Sequence, residues 1–153
     1  MLFRSHVRFD DGVHAVLDDY GHHPTAIRAT IETVRARYPE KHLILAIEPL
    51  TYHRTAALLD SLAAAASLAD AVVVADIFAV RDPDLTISSP GALAAAIARH
   101  GVPATAPGSV EDAADAIAAT LPANSVVLVM GGGRSTLLAT RLARHLSALA
   151  PRD

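Results

Sequence analysis

Short apolar runs alternate along the chain with longer segments whose apolar residues recur every three or four positions. Continuous runs such as 42–47 (HLILAI) are typical of strands buried on both faces of a sheet. The spacing of Ile27, Ile31 and Val34 is typical of a helix. The pattern predicts strands over 6–9, 13–18, 42–47, 71–78, 102–108 and 125–130, and helices over 24–38, 54–69, 89–101, 109–121 and 134–150.

Turn and capping residues mark several of these boundaries. The Asp11–Gly12 pair between the first two runs predicts the tight turn of a hairpin. Pro24 suits the first turn of the helix that follows. A Ser-Pro pair at Ser89, and Ser109 with an acid three residues later, are typical of helix starts.

The alternation of strands and helices predicts an α/β fold. We expect a Rossmann-like, mostly parallel sheet with helices on both faces, preceded by a short N-terminal β-hairpin. A length of 153 residues suits one domain. Residues 1–5 match no element, so we expect a non-native or disordered leader there and a single domain over 6–153.

Composition narrows the range of partners. The chain is 52% hydrophobic but only 4% aromatic, which predicts a core of small aliphatic side chains. A net charge of −3 gives no reason to expect a nucleic-acid or anionic-membrane partner. The absence of cysteine excludes disulfides and thiolate metal sites, and fits a reducing compartment. No apolar run reaches the roughly 18 residues of a membrane span. We therefore expect a cytoplasmic protein that binds neither nucleic acid nor membrane.

Polar residues are concentrated just after the predicted strands. In sheets of this kind, ligands bind outside the carboxyl ends of the strands. Four segments occupy such positions: 18–24 (DDYGHHP), 48–55 (EPLTYHRT), 76–84 (DIFAVRDPD) and 131–135 (GGGRS). We expect the functional site at this edge of the sheet.

The acids and histidines near the first of these segments allow more than one chemistry. His22, His23 and His53 form a candidate metal site, although adjacent histidines diverge and zinc ligands are usually three to five residues apart. A histidine here can instead cap the following helix. Asp18 and Asp19 alone are weak evidence for acid–base catalysis.

The glycine run at 131–135 fits two roles. Backbone N–H groups between a strand and a helix can bind a phosphate, and Arg134 adds positive charge. A tight strand-to-helix turn explains the same residues. The segment lacks the Gly-Lys-Ser/Thr ending of a P-loop, and no other segment has the sequence of a triphosphate-binding loop.

Several segments, in order, resemble the C-terminal domain of the Mur ligases, the ATP-dependent amino-acid ligases of peptidoglycan precursor synthesis. Segment 17–31 (LDDYGHHPTAIRATI) resembles the motif that opens this domain, in the form found in ligases that join L-alanine to UDP-N-acetylmuramate. Segment 48–84 is similar to their Q-P-H-R-Y-T-R-T and D-V-Y-A-A-R-E stretches, 87–101 to S-S-x-x-L-A-x-A-I, and 125–146 to the stretch around M-G-A-G-x-I. The resemblance covers about residues 6–148.

The resemblance implies the third domain of a three-domain enzyme. An N-terminal domain would hold UDP-N-acetylmuramate, and a central domain would bind most of the ATP and the Mg²⁺; we expect both to be missing here. ATP would convert the substrate carboxylate to an acyl phosphate, which the amine of L-alanine attacks. Because nothing in this chain resembles a triphosphate or magnesium site, the resemblance implies that the domain is inactive in isolation.

The resemblance also implies roles for individual residues. Asp19 matches the acid that binds the ribose hydroxyls of ATP, for which a carboxylate is suited because it accepts from two hydroxyls at once. Tyr20 and His22 match residues near the nucleotide and the incoming amino acid. His23 continues the motif on the substrate side, with a more structural role. Arg54 matches an arginine whose planar fork can hold a carboxylate or phosphate oxygen. No metal ligand and no catalytic residue is implied in this domain.

Some positions depart from the family pattern. Leu50 and Thr51 replace a His-Arg pair, and Glu48 stands where Gln is usual. The amino acid that is added therefore stays open. The alternatives are a stand-alone nucleotide- or amino-acid-binding module without ligase activity, the ligase that recycles murein tripeptide, and a metal-dependent hydrolase built on segment 18–24.

Overall fold

The computed structural model describes residues 5–149, which form one six-stranded sheet and six helices. In chain order the elements are β1 (His6–Asp10), β2 (His14–Asp19), α1 (Pro24–Arg37), β3 (His42–Ile47), α2 (Tyr52–Ala57), α3 (Leu59–Ala66), β4 (Ala71–Ala75), α4 (Pro90–Ala98), β5 (Ala104–Gly108), α5 (Val110–Thr120), β6 (Ser125–Met130) and α6 (Ser135–Leu149).

The strands are arranged in the order β1-β2-β6-β3-β4-β5. Only β1, which forms the predicted hairpin with β2, runs antiparallel to its neighbour. The turn of this hairpin uses Gly12 at a φ of 85°, and Asp11 Oδ1 accepts from the backbone N–H groups of Val13 and His14 (2.9 and 2.7 Å). The predicted mostly parallel α/β sheet with an N-terminal hairpin is confirmed.

Helices cover both faces of the sheet. Leu17, Leu45 and Leu128 pack into one buried cluster with α1, α3 and α4, whereas Val16 and Val127 pack into a second cluster with α5 and α6. Because neighbouring residues of a strand face opposite sides of the sheet, the continuous apolar runs supply both clusters. Both clusters consist mainly of Ala, Val, Leu and Ile side chains, as the composition predicts.

Several predicted elements are wrong in extent. The helix expected over 89–101 ends at Ala98, and two further differences lie next to the polar segments. The helix expected over 54–69 is divided at Leu58, whose φ and ψ of −109° and 18° lie outside the helical range. The strand expected over 71–78 ends at Ala75. Beyond this point the chain leaves β5 and turns towards β3, where Phe78 forms an isolated bridge with Leu50.

The expected leader at 1–5 is described only at Ser5, because residues 1–4 lie outside the described part of the chain. Within residues 5–149, no helix is long and apolar enough to span a membrane.

Candidate functional site

The carboxyl ends of three adjacent strands define the candidate site. Strand β6 lies between β2 and β3, and its last residue, Met130, is level with both Asp19 and Ile47. The polar segments that follow these strands therefore start at one edge of the sheet. Segment 76–84 joins them, because Phe78 N donates to the carbonyl of Pro49 (2.8 Å). The structure thus brings together all four predicted segments.

Asp19 is a half-buried acid whose carboxylate is fixed by two donors. Gly21 N donates to Oδ1 (2.8 Å) and the hydroxyl of Ser5 donates to Oδ2 (3.0 Å). An ionised carboxylate has about four acceptor positions, so each oxygen keeps capacity for another donor. The side chain is held in one orientation and can still accept from two neighbouring hydroxyl groups.

The neighbouring acid, Asp18, has different surroundings and a structural role. It is only 1% exposed, and its Oδ2 accepts from Arg8 Nη2 and from the hydroxyl of Thr136, both at 3.0 Å. These bonds tie β1 and α6 to the end of β2. The two consecutive acids therefore do not form an acid–base pair.

His22 and Arg54 meet across the site. Arg54 Nη1 lies 3.2 Å from His22 Nδ1. Because a guanidinium group can only donate, this Nδ1 is the acceptor and the imidazole is neutral. Burial lowers the pKa of His22, and the positive charges of Arg54 and His23 lower it further. The contact uses one of the five N–H donors of the guanidinium, so Arg54 keeps donors for an anion.

His23 and Tyr20 are placed differently from His22. His23 Nδ1 accepts from Thr25 N (3.2 Å) and caps α1. The capping role that the sequence left open for a histidine is therefore filled by His23. Tyr20 is 61% exposed and lies at the solvent side of the motif.

Glu48 occupies the backbone N–H groups at the start of α6. It is 2% exposed, and its Oε1 accepts from the N–H groups of Gly133, Arg134 and Ser135 at 3.1, 2.7 and 3.0 Å. Burial raises the pKa of the Glu48 carboxyl, although these three bonds and the charge of Arg134 act in the opposite direction. The anion at this helix start belongs to the protein itself.

The phosphate interpretation of 131–135 is therefore wrong for these N–H groups, because Glu48 already accepts from them. The positive charge of Arg134 is also engaged, since its guanidinium forms an ion pair with Glu111 of α5. A second pair, between Arg141 of α6 and Asp115, also connects to α5. The glycine run is the tight strand-to-helix turn that was the other interpretation.

Two glycines of this run are needed for close approach. A Cβ atom on Gly131 would lie 3.0 Å from the Glu48 carbonyl oxygen and 2.9 Å from Ser135 Cβ. A Cβ atom on Gly133 would lie 2.4 to 2.7 Å from ring atoms of Phe78. Side chains at these positions would displace Glu48 or the segment after β4.

Gly133→Ala should lower the free energy of unfolding by about 1–2 kcal/mol, within the range for overpacked sites, because the half-buried Phe78 ring has to move. Urea denaturation measures this loss, and the ring resonances of Phe78 report the displacement. Gly91→Ala is the matched control, since its Cβ would meet nothing closer than 3.8 Å. An unchanged stability together with unchanged Phe78 resonances would show that the ring does not pack on Gly133.

Asp82 is a site residue that sequence inspection misses. Its Oδ2 and Oδ1 accept from Tyr52 N (3.1 Å) and His53 N (3.2 Å) at the start of α2. A side chain that caps a helix thirty residues earlier has no local sequence signature. The signal that the sequence does offer is the family stretch D-V-Y-A-A-R-E, whose last two residues align with Arg81 and Asp82.

The metal-site interpretation finds no support in the geometry. Within residues 5–149, no three His, Cys, Asp or Glu side chains are grouped so that they could share a metal ion. His23 is engaged in capping α1, and His53 is exposed on α2.

The fold and the site define the chain as an α/β domain that presents an acid, a neutral histidine and an arginine at the carboxyl edge of its sheet. A sequence model of the family described as Mur ligase, glutamate ligase domain, matches residues 4–133. The chain belongs to the Mur ligase family, and the resemblance stated above is confirmed.

A curated sequence relative agrees with this assignment, and solved structures share the fold. The UDP-N-acetylmuramate–L-alanine ligase of Acidithiobacillus ferrooxidans is 37% identical over 131 residues, which are 86% of this chain and 28% of that ligase. The structure of UDP-N-acetylmuramate–alanine ligase from Thermotoga maritima has a TM-score of 0.73 at 20% identity, over 90% of this chain and 27% of that one. A domain assigned to a UDP-N-acetylmuramate:L-alanyl-γ-D-glutamyl-meso-diaminopimelate ligase of Haemophilus ducreyi has a TM-score of 0.65 at 27% identity, over 90% and 92% of the two chains. The chain spans about 30% of the length of the curated relatives it matches.

Proposed function

We propose that this chain is the C-terminal domain of an ATP-dependent ligase that joins L-alanine to UDP-N-acetylmuramate. The observation that carries the proposal is the convergence of Asp19, His22 and Arg54 at one sheet edge in a chain of this family. The 37% identity to a ligase of this name favours L-alanine as the added amino acid. The remaining two thirds of the enzyme, with the UDP-sugar and ATPase domains, would supply the rest of the site.

The nucleotide contact assigned to this domain is the ribose. The carboxylate of Asp19 fits two adjacent hydroxyls, because each of its oxygens has one internal donor and retains acceptor capacity. The backbone N–H groups of 133–135 do not fit the phosphates of ATP, since Glu48 occupies them. ATP phosphates and Mg²⁺ would therefore be bound by the central domain, where they supply the phosphoryl group and neutralise its charge.

The substrate contacts assigned to this domain are Arg54, His22, Tyr20 and His23. The exposed guanidinium of Arg54 would bind the carboxylate of the amino acid or an oxygen of the acyl phosphate. A neutral His22 would orient the guanidinium through Nδ1 and leave Nε2 towards the ligand. Tyr20 has an exposed ring available for either substrate or nucleotide. His23 would contribute only through Nε2, because Nδ1 is bound to the backbone.

A chimaera tests the proposal directly. The chain would be joined to the part of the Acidithiobacillus ferrooxidans ligase that it does not match, and phosphate release measured with UDP-N-acetylmuramate, ATP and each acceptor. We expect release that depends on L-alanine, and none from the 153-residue chain alone. Release that requires L-alanyl-γ-D-glutamyl-meso-diaminopimelate instead would favour the tripeptide-recycling alternative, which Glu48 followed by Pro49 resembles. A folded chimaera that is inactive with both acceptors would favour a binding module without ligase chemistry.

Arg54→Lys should raise the KM for the amino acid in this chimaera by roughly tenfold, because a point charge does not replace the planar fork. The exposed position of Arg54 predicts an unchanged free energy of unfolding. Arg28→Lys, an exposed arginine on α1, is the control. A wild-type KM would remove Arg54 from the substrate site.

A further inference from the structure

The start of α2 depends on side chains from outside the helix. A helix of only six residues is not stable alone, and its first backbone N–H groups have no partner within it. Asp82 accepts from the N–H groups of Tyr52 and His53, and the hydroxyl of Thr51 accepts from Arg54 N (3.1 Å). An acid at this end also interacts favourably with the helix dipole.

The backbone is bent on both sides of this contact. Thr51 and Arg81 have φ values of 58° and 52°, a region that residues other than glycine rarely adopt. Conformations of this kind persist only where the surrounding contacts enforce them. Here Phe78 lies between Pro49 and Thr51, donating to one (2.8 Å) and accepting from the other (2.9 Å). The bend at Arg81 then directs Asp82 to α2.

Arg54 is the third residue of α2, so its position follows from where the helix begins. Thr55 is the one buried residue of α2, which means that an apolar face does not hold this helix in place. We propose that Asp82 is a positioning residue: by capping α2 it holds the guanidinium of Arg54 against His22 and towards the ligand. The inference rests on the substrate role proposed for Arg54.

A direct electrostatic effect of Asp82 on His22 would have the opposite sign. Removing a nearby acid lowers the pKa of a histidine, because the positive form loses a favourable charge. Removing Arg54 from the vicinity raises that pKa, because Arg54 and His23 are the charges that lower it. The direction of the change in Asp82 variants therefore separates positioning from direct interaction.

The experiment is a titration of the histidine ring resonances by NMR in the 153-residue chain. We expect Asp82→Ala to raise the pKa of His22 by the same amount as Arg54→Gln, and the double variant to show no further rise. Asp82→Asn keeps one acceptor oxygen and should give an intermediate rise, which preserves the test if Asp82→Ala fails to fold. Asp84→Ala is the matched control, because among residues 5–149 Asp84 accepts from Thr86 of its own loop and from no other residue.

An unchanged or lowered pKa of His22 in folded Asp82→Ala or Asp82→Asn would overturn the inference, as would additive effects in the double variant. The amino-acid KM of the chimaera separates this inference from the proposed function. If both are right, Asp82→Ala raises the KM for the amino acid and Asp82→Glu keeps it near the wild-type value. The kcat should change little in either variant. If Asp82→Ala raises the pKa of His22 while neither Arg54 nor Asp82 variants alter the KM, Asp82 positions Arg54 but the substrate role of Arg54 is wrong.

Discussion

Glu48→Ala is expected to lower the free energy of unfolding by about 3 kcal/mol. A hydrogen bond to a charged group contributes roughly 1.5–3 kcal/mol, and three backbone donors lose their acceptor, with water replacing part of it. The turn at 131–135 and the start of α6 should loosen together, because all three bonds end there. Urea denaturation gives the stability change, and amide hydrogen exchange of residues 133–135 shows where it arises.

Glu48→Gln is the matched variant, since the amide oxygen can accept from the same N–H groups. Burial raises the pKa of Glu48 above the unfolded value of 4.5, so folding favours its protonated form. The wild type therefore loses stability as the pH rises from 4.5 through the raised pKa, and the glutamine variant lacks this loss. We expect Glu48→Gln to be more stable than wild type at pH 7, with a difference that shrinks below pH 4.5.

Two results would contradict this account of Glu48. If Glu48→Gln lost stability relative to wild type as the pH rose, the ionised carboxylate would be favoured by the fold and its pKa would be lowered. If Glu48→Ala were as stable as Glu48→Gln, the three hydrogen bonds would not hold the turn. The family resemblance is consistent with a stable Glu48→Gln variant, because Gln is usual at this position of the family motif.

Asp19→Ala is expected to reduce kcat/KM for ATP by roughly tenfold to 150-fold in the chimaera. This corresponds to about 1.5–3 kcal/mol, the contribution of a hydrogen bond to a charged group. The KM for UDP-N-acetylmuramate should not change, because the ribose contact does not involve the sugar substrate. Replacing ATP with 2′,3′-dideoxy-ATP should reduce the kcat/KM of wild type by the same factor. The kcat/KM of Asp19→Ala should hardly change.

The control for Asp19 is Asp60→Ala, which removes an exposed acid from the first turn of α3. Equal losses in Asp19→Ala and Asp60→Ala would indicate a general charge effect. If the dideoxy analogue reduced kcat/KM equally in wild type and in Asp19→Ala, the ribose hydroxyls would not be bound by Asp19.

Much of the fold follows from local sequence. The runs that form β3 and β6 are buried on both faces, and Ser109 with Asp112 forms the predicted capping box of α5. The division at Leu58 has no such signal, since neither glycine nor proline marks it. The end of β4 at Ala75 is also set by tertiary contacts, because Phe78 pairs with the backbone after β3.

The candidate site divides in the same way. Asp19, His22 and Arg54 all lie in segments that follow predicted strands, and this was enough to predict that they meet at one edge of the sheet. The partner of the glycine run was not predictable, because Glu48 lies about 85 residues before Gly133 and a buried acid after a strand has several possible partners. Residue type alone suggested an external anion, whereas the fold provides an internal one.

The position of β6 has a consequence for how the domain is made. Among the described residues it is the last strand in sequence, yet it alone pairs with both β2 and β3. On the ribosome, β1–β2 and β3–β4–β5 are synthesised first and share no backbone pairing until residues 125–130 emerge. Until β6 is available, the edges of β2 and β3 that it will occupy are open to wrong pairing. Closure of the sheet, and with it the alignment of Asp19 with Ile47 beside Met130, therefore has to wait until β6 is synthesised and depends on contacts distant in sequence.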